Sequence, residues 1–382
     1  MKYRLLLLLP LLLYAQPEFY GYLESEVDAA GLKDDTYLYS YTKVRLDMEA
    51  RPTDNIQIGA NLNAQQYLGK TTWDLFDFLP EHVTAPLASM GISEFPIPLS
   101  DTSYVDNLYI RIQFPWVDLT LGKQQLSFGT GYAWNPTDIF NTKQLLDPSY
   151  EQPGINAIRL EIPVANRINA DLIYQPKDDW DSSTKLAQIK VGAGSFDLGV
   201  TVAEYQWERV DFFLPAGTLT QRTLNGGSLV GEILGIGLWA EAAHNTFSDP
   251  EDEFWEYVVG LDYTFESSTY ILLEYLHNEN GKSEVLDLDI TDYLRSLSGN
   301  THSLMQNYGF LYGMHPVGDF GTLGLLGFVN FDDESAAINP SFDWAGFENM
   351  NFSFMLSYML GEADTEFGVQ DWGLRLRVRG YF

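Results

Sequence analysis

Residues 38–51 read Leu-Tyr-Ser-Tyr-Thr-Lys-Val-Arg-Leu-Asp-Met-Glu-Ala-Arg, with Lys43, Arg45, Asp47, Glu49 and Arg51 on odd positions and Leu38, Ser40, Thr42, Val44, Leu46, Met48 and Ala50 on even ones. The period is two. On an α-helix a step of two residues turns the side chain through about 200°, which scatters the charges and leaves no apolar face. On a β-strand the same spacing makes one wet face and one apolar face. The stretch is longer than a usual globular strand and long enough for a tilted membrane crossing of about 9–11 residues with its ends.

The pattern recurs outward from this segment. At the C-terminus Trp372, Leu374, Leu376, Val378, Gly380 and Phe382 alternate with Gly373, Arg375, Arg377, Arg379 and Tyr381. Ile56, Ile58, Ala60 and Leu62 alternate with polar residues, as do Leu108, Ile110, Ile112 and Phe114, and Phe196, Leu198, Val200 and Val202. Short turns are expected at Pro52–Asn55, Pro115–Trp116, Ala165–Arg167, Gly192–Ser195, Leu234–Gly237, Glu266–Ser268, His315–Asp319 and Gly346–Met350. Longer connections separate them, including Gly69–Thr102, Ser127–Gly154, Gln206–Arg222 and Asn278–Ser303. One plain rim and one elaborated rim predict an all-β, antiparallel, up-and-down transmembrane barrel with short periplasmic turns and long extracellular loops. Eight short turns plus two termini on one rim give eighteen strands, or sixteen if Leu172–Tyr174 and Ala336–Asp343 do not form strands. Closure removes the sheet edges, whose unpaired backbone groups lipid cannot satisfy.

Composition and the leader agree with this reading. Lys2 and Arg4 precede an apolar run from Leu5 to Leu13 and a small Ala15, so residues 1–15 read as a signal peptide and 16–382 as the barrel. After Ala15 no apolar run approaches the roughly 20 residues of a membrane helix. Gly 32, Tyr 23, Phe 23 and Trp 9 are abundant, while mean hydropathy is only -0.14, as expected when one residue in two faces lipid. With no cysteine, disulfides, thiolate metal sites and a lipidated cysteine are excluded. A net charge of -31 argues against nucleic acid as a partner and for acidic, solvated loops. Alternation from Phe19 onward argues against a large N-terminal plug, and no repeat longer than the hairpin rhythm is present.

Two groups of residues carry the functional expectation. Lys43, Arg45, Arg51, Arg111, Lys123, Arg159, Arg375, Arg377 and Arg379 fall on luminal positions, and closure sets the last strand beside the first, about 4.8 Å away. Such a strip enriches anionic solutes and depletes cations. Equally, Glu24, Glu26, Asp28, Asp47, Glu49 and Glu161 face the same lumen, and full pairing with them makes the wall a scaffold; both readings stand. The second group is the loop after Gly122-Lys123-Gln124-Gln125, where Tyr132, Trp134, Asn135, Asp138 and Phe140 break the period and are placed inside the barrel as a constriction.

The segment Leu121–Pro153, with a Gly-basic-Gln strand end leading to aromatic-Gly and Asn-Pro, resembles the alginate-export-like and substrate-specific outer-membrane porins. Lys123 stands where those proteins more usually have arginine, and Phe128 where they have tryptophan. The resemblance implies a channel of about this size, commonly with eighteen strands.

The remaining features invite blander readings. The loop Gly69–Thr102, with Trp73, Leu75, Phe76, Phe78 and Leu79, folds over or into the mouth, and packing against neighbouring loops is favoured over a ligand lid. Asp287, Asp289 and Asp292 lack the glycine and terminal glutamate of a calcium loop and read as a solvated loop with a helical turn through Tyr293 and Leu294. His82, His244, His277, His302 and His315 show no ligand spacing and read as incidental, so neither metal nor cofactor is expected. Trp255, Tyr257, Tyr263 and Phe265 read as interfacial girdle residues. The expected function is an outer-membrane channel for small hydrophilic, anion-leaning solutes, a monomer or trimer in outer-membrane lipid. Phe382 is expected to engage the barrel-assembly machinery. A non-transporting polysaccharide-binding barrel is the alternative, and a hydrolase built on His244 or His277 is a weaker one.

Overall fold

The computed structural model describes residues 16–32, 35–141, 143, 151–212, 218–248 and 253–382, so the expected leader at 1–15 lies outside the described residues. The first nine crossings are β1 (Glu18–Leu32), β2 (Asp35–Thr53), β3 (Ile56–Gly69), β4 (Leu108–Phe114), β5 (Val117–Gln124), β6 (Ile155–Ala165), β7 (Ile168–Gln175), β8 (Thr184–Ala193) and β9 (Phe196–Glu208). They are followed by β10 (Leu219–Ile233), β11 (Ile236–Phe247), β12 (Phe254–Thr264), β13 (Tyr270–Asn278), β14 (Asn307–Val317), β15 (Gly321–Asn330), β16 (Ser335–Phe347), β17 (Met350–Leu360) and β18 (Trp372–Tyr381). A short piece, Thr102–Tyr104, continues β4 along β3, so the nineteen segments of the sheet make eighteen crossings. Asn61 Oδ1 spans the break by accepting from the Asp106 and Asn107 N–H groups.

Each strand pairs antiparallel with its neighbours, and β18 closes on β1 from Tyr22↔Tyr381 to Gly31↔Trp372. Beyond the strand, Gly21 and Phe382 exchange two backbone hydrogen bonds of 3.0 Å. All eight expected short turns join strands on the rim that carries both termini. The two weak segments form full strands, β7 and β16, which settles the count at eighteen. At the β10–β11 turn, Leu234 (φ 54) and Gly235 (φ 82) both take left-handed backbone, the geometry that matches a two-residue hairpin to strand twist. Leucine has no glycine-like freedom there, so Leu234 carries strain.

β12 shows why the exterior belongs in lipid. Its outward row runs Trp255, Tyr257, Val259, Leu261, Tyr263, with Phe265 just beyond, all exposed. Aromatic residues thus bracket an aliphatic middle over a height of about 25 Å at ordinary strand rise and tilt. The girdle reading holds in this geometry. No helix among the described residues is long and apolar enough to cross a membrane.

The interior is not uniformly wet. On β13, Leu272 and Leu276 point inward and are fully buried, as are Val258 on β12 and Phe310 on β14. Residues 125–141 cover this side. Leu126, Phe128, Ile139 and Phe140 pack on Ile173, Leu186, Tyr205, Leu224 and Ala243. Ala133 and Trp134 pack on Trp239, Val258, Leu272, Leu276, Tyr308 and Phe310. The same core takes in Leu75, Leu79, Val83 and Leu87 of the loop between β3 and β4, which holds α1 (Glu81–Ser89), and Leu288, Ile290 and Tyr293 of the loop between β13 and β14. The first of these loops therefore packs against neighbouring loops, and Trp73 also stacks on Phe78 at 5.2 Å beside Tyr37 and Tyr39.

The acidic trio corrects the sequence reading at one residue. Asp289 caps α2 (Ile290–Leu297), accepting from the Thr291 and Asp292 N–H groups, while the Asp292 carboxylate accepts from Asp289 N–H. Asp292 is buried, 3.8 Å from both Lys282 and Arg295. The expected helical turn through Tyr293 and Leu294 forms and Asp287 and Asp289 are exposed; only Asp292 departs, drawn in by a reciprocal cap that satisfies orphan N–H groups of the first turn.

Candidate functional site

The register of β1 against its two neighbours assembles a charged wall. Glu24 lies opposite Arg379 on β18 and Lys43 on β2, Glu26 opposite Arg377, and Asp28 opposite Arg375. Cross-strand partners on one face interact directly. Arg379 reaches Glu24, and Arg375 bonds Asp28 at 2.7 Å and Glu26 at 3.2 Å. Arg377 lies 3.8 Å from Glu24 and 3.4 Å from Ser353 Oγ. Arg45 grips Asp47 with hydrogen bonds of 2.8–3.1 Å. A second patch on the adjoining strands joins Arg111 to Asp118 (2.8 Å) and Glu161 (3.2 Å), and Arg159 to Asp171 (2.7 Å) and Glu161 (3.2 Å). Arg51 stands apart, exposed at the short-turn rim and paired with Glu49 at 2.8 Å.

Lys123 departs from the expected luminal row. The β4–β5 register runs unbroken to Leu108↔Lys123, which keeps Lys123 off the row of Arg111, and its ammonium donates to the Val105 carbonyl. It fastens residues 105–107 and does not join the basic wall.

One carboxylate of this wall comes from elsewhere in the chain. Glu151, on the segment returning from the constriction loop, accepts from Lys43 Nζ and Arg45 Nη1, each at 2.9 Å, and from the Tyr22 hydroxyl, with Arg379 4.0 Å away. Burial pushes its carboxyl up, and the Tyr22 hydroxyl, Lys43 and Arg45 outweigh burial, so the group titrates below the ordinary glutamate range. With Glu151 in place, Lys43, Arg45, Arg375, Arg377 and Arg379 are matched by Glu24, Glu26, Asp28, Asp47 and Glu151.

The constriction loop is held by acids of the far wall. Glu274 on β13 accepts from the N–H groups of Tyr132 (2.7 Å), Ala133 (2.8 Å) and Trp134 (2.9 Å) and from Trp239 Nε1 (2.7 Å). Glu241 on β11 accepts from the Thr130 and Thr137 N–H groups, both at 2.6 Å. Asp138 ties the loop to itself through the Phe128 and Phe140 N–H groups at 3.0 Å and Ser127 Oγ at 3.1 Å. Burial pushes Asp138 up to about 6 against these bonds, which lower it. The Lys143 ammonium donates to the Gly131 and Tyr132 carbonyls. Gly131 is required, since a Cβ there would stand 1.9 Å from the Trp134 carbonyl oxygen. Trp134, Asn135 and Asp138 are buried in this packing, Phe140 is half-buried, and Tyr132 is exposed, stacked on Phe310 and Tyr312 at 5.8 and 5.5 Å.

The structure brings the basic residues of β2 and β18 together with the acids of β1 on one wall, and the loop residues together on the opposite one. Glu151, Glu241 and Glu274 were not singled out by sequence. Inward parity was the only available signal for the last two, and Glu151 sits outside any periodic stretch.

The histidines divide. His244 stacks on Trp255 at 4.6 Å with Glu253 3.6 Å away, and His277 stacks on Tyr257 at 5.0 Å and bonds Asn307 at 2.8 Å. Both lie in the outward girdle, which is not the company of a hydrolytic nucleophile. His302 is not incidental: its Nδ1 meets Glu256 at 2.7 Å inside the barrel. Burial pulls this imidazole down and the Glu256 carboxylate more than offsets it, so its pKa is raised. Among the described residues no group of three or more His, Asp or Glu is arranged to hold a metal ion.

No family model and no curated protein matches the chain. Among solved structures it is similar to a mutant porin of Rh. blastica, with 13% identity over 96% of this chain and 100% of that one and a TM-score of 0.48. It is also similar to OmpT, an outer membrane protein of Vibrio cholerae: a loop-L8 deletion shows 10% identity over 97% and 100% of the two chains, and the trimer form 10% over 96% and 99%, both at TM-score 0.46. Likeness of this degree does not bear on solute or assembly.

Proposed function

We propose that the chain is an outer-membrane channel through which small hydrophilic solutes diffuse along the charged wall, whose full pairing favours the scaffold reading over an anion-selective strip. The observation that carries this is the division of the interior: a charged wall on β18, β1 and β2 faces a constriction loop that is tied to the other side by its own acceptors. At the short-turn end a cavity of about 230 Å³ lies against Arg377 and Arg379, continuing the charged surface toward the rim. Passive diffusion along such a wall needs no energy source. Planar-bilayer recording across a potassium chloride gradient tests it. A steady conductance with a reversal potential near zero is expected; no steady conductance would contradict the channel, and a clear anion-side potential would contradict the scaffold reading of the wall.

The narrower kinship with alginate-export-like porins is supported by the Leu121–Pro153 segment, of which residues 126–140 pack inside the barrel. Residues 1–15 are proposed as a cleaved signal peptide. Phe382, hydrogen-bonded across the seam to Gly21, is proposed as the assembly signal. A barrel that binds surface polysaccharide without transport is favoured by the extent of loop packing inside the lumen. Absence of steady current from folded protein would select it.

A further inference from the structure

The connection between β17 and β18, residues 361–371, carries Glu362, Asp364, Glu366 and Asp371 and no basic residue, yet it folds inward. Glu366 reaches the inner wall, where its carboxylate accepts from the Tyr308 hydroxyl at 2.5 Å and from Asn330 Nδ2 at 2.9 Å, on β14 and β15. Its own N–H donates to Asp333 Oδ2 at 2.7 Å, and the next N–H, of Phe367, donates to Ser335 Oγ at 3.3 Å. Tyr308, Asn330 and Ser335 are all buried. Phe367 packs on the core that also takes in Trp134 of the constriction loop and Val83 and Leu87 of α1. Tyr308 and Trp134 are in ring contact at 6.1 Å, so the segment is fastened to a side chain that also seats the constriction loop.

Glu366 and Asp333 therefore share one nest. Among the described residues neither has an ion-pair partner. The other titratable groups facing the nest are Asp332 and Glu334 of the same turn and Tyr293 and Asp292 of α2, while Lys282 and Arg295 lie 3.8 Å from Asp292. Two shielded carboxyls without a cation favour the state in which one holds a proton. Burial, with Asp333 beside it, raises Glu366 to about 7 against the bonds from Tyr308 and Asn330.

His82 meets the segment from α1, beside the exposed Glu81. Both its ring nitrogens are shielded and without a hydrogen-bond partner, and Nδ1 lies 3.5 Å from Asp364. A proton on this ring creates a charge opposite Asp364. Protonation at either place holds the segment down, and its loss at both sets seven acids, 332–334 and the four of the segment, against one another.

We propose that residues 361–371 are a proton-operated lid inside the long-loop rim, docked through Glu366 and Asp364 in acid and released in alkaline medium. Its effect on current rests on the channel reading; its movement does not.

A spin label on Ala363→Cys, at an exposed position in a chain without cysteine, reads that movement in the full protein in lipid bilayers. Between pH 5 and 8.5 the label should pass from immobile to mobile, with a midpoint near 7. Glu366→Gln keeps an acceptor for Tyr308 and Asn330 and does not ionise, so the label should stay immobile to pH 8.5. His82→Gln should make the transition shallower, and Asp138→Asn should leave it in place. Single-channel conductance should rise with pH in the parent and keep its acid value in Glu366→Gln. If heat-modifiable mobility shows Glu366→Gln unfolded, Asp333→Asn replaces it and should shrink the transition. The lid is overturned by a label spectrum independent of pH, by a parent-like response in the folded Glu366 or Asp333 variant, by loss of response in Asp138→Asn, or by a steady conductance that does not follow the label. A label that moves as expected in protein with no steady conductance at any pH supports the moving segment and counts against the channel.

Discussion

Glu151→Gln isolates the charge balance of the wall. The substitution is nearly isosteric and keeps an acceptor for Lys43 and Arg45, but leaves five basic groups against four acids: Lys43, Arg45, Arg375, Arg377 and Arg379 against Glu24, Glu26, Asp28 and Asp47. Because Glu151 titrates below the usual glutamate range, it is charged at any neutral assay pH. At a point about 5 Å away, one charge in a water-like dielectric is worth about 0.8 kcal/mol, reduced by screening at 0.1 M salt to about 0.5 kcal/mol. The change helps anions and hinders cations equally, so their permeability ratio shifts by about 1 kcal/mol, roughly fivefold. For an unselective parent across a tenfold salt gradient that moves the reversal potential by about 30 mV, toward anions. Single-channel recording of parent and variant in the same lipid reads it. An unchanged potential, or a move toward cations, would show that Glu151 does not set the charge of the solute path.

Three further outcomes follow from the same geometry. Glu274→Gln offers a second donor to a site that receives four N–H groups, so it should destabilise the loop by about 2–4 kcal/mol; rising current noise and faster proteolysis of residues 125–143 would report this, and parent-like traces would refute it. Burial raises Asp138 of the constriction loop to about 6. It binds its proton more tightly folded than unfolded, so loop stability should be fully present below about pH 4 and fall by up to about 3 kcal/mol as pH rises through about 6. Hydrogen exchange of the loop at both ends of that range checks the sign, and Asp138→Asn should flatten the slope. Leu234→Asn should stabilise the barrel by about 1 kcal/mol by relieving left-handed backbone at a residue 95% exposed, seen as a higher unfolding midpoint.

The parts of the fold legible from sequence are those where solvent differs sharply across the strand. β2 and β18 separate lipid from a charged lumen, and their period of two is unbroken. β13 reads Tyr-Ile-Leu-Leu-Glu-Tyr-Leu-His-Asn, nearly apolar on both faces, because the constriction loop covers its inner side as hydrocarbon covers its outer one. There the alternation fades. Inward acids are ambiguous for a related reason: Glu24 pairs with arginine, while Glu241 and Glu274 hold backbone N–H groups of a loop more than a hundred residues away. Parity predicts facing, and only three-dimensional proximity distinguishes the two roles. Lys123 was misplaced because its row, with Leu119 and Leu121, pairs with Ile112, Ile110 and the exposed Leu108 and not with the luminal row of Arg111.

The account depends most on every second residue meeting hydrocarbon while its neighbours do not. The chain has no cysteine, so single cysteines introduced from Tyr257 to Tyr263 on β12 can each carry a spin label. In bilayers, oxygen accessibility should be high at 257, 259, 261 and 263 and low at 258, 260 and 262. A profile with a period near 3.6, or equal exposure to a water-soluble relaxant at all seven positions, would contradict the barrel as described.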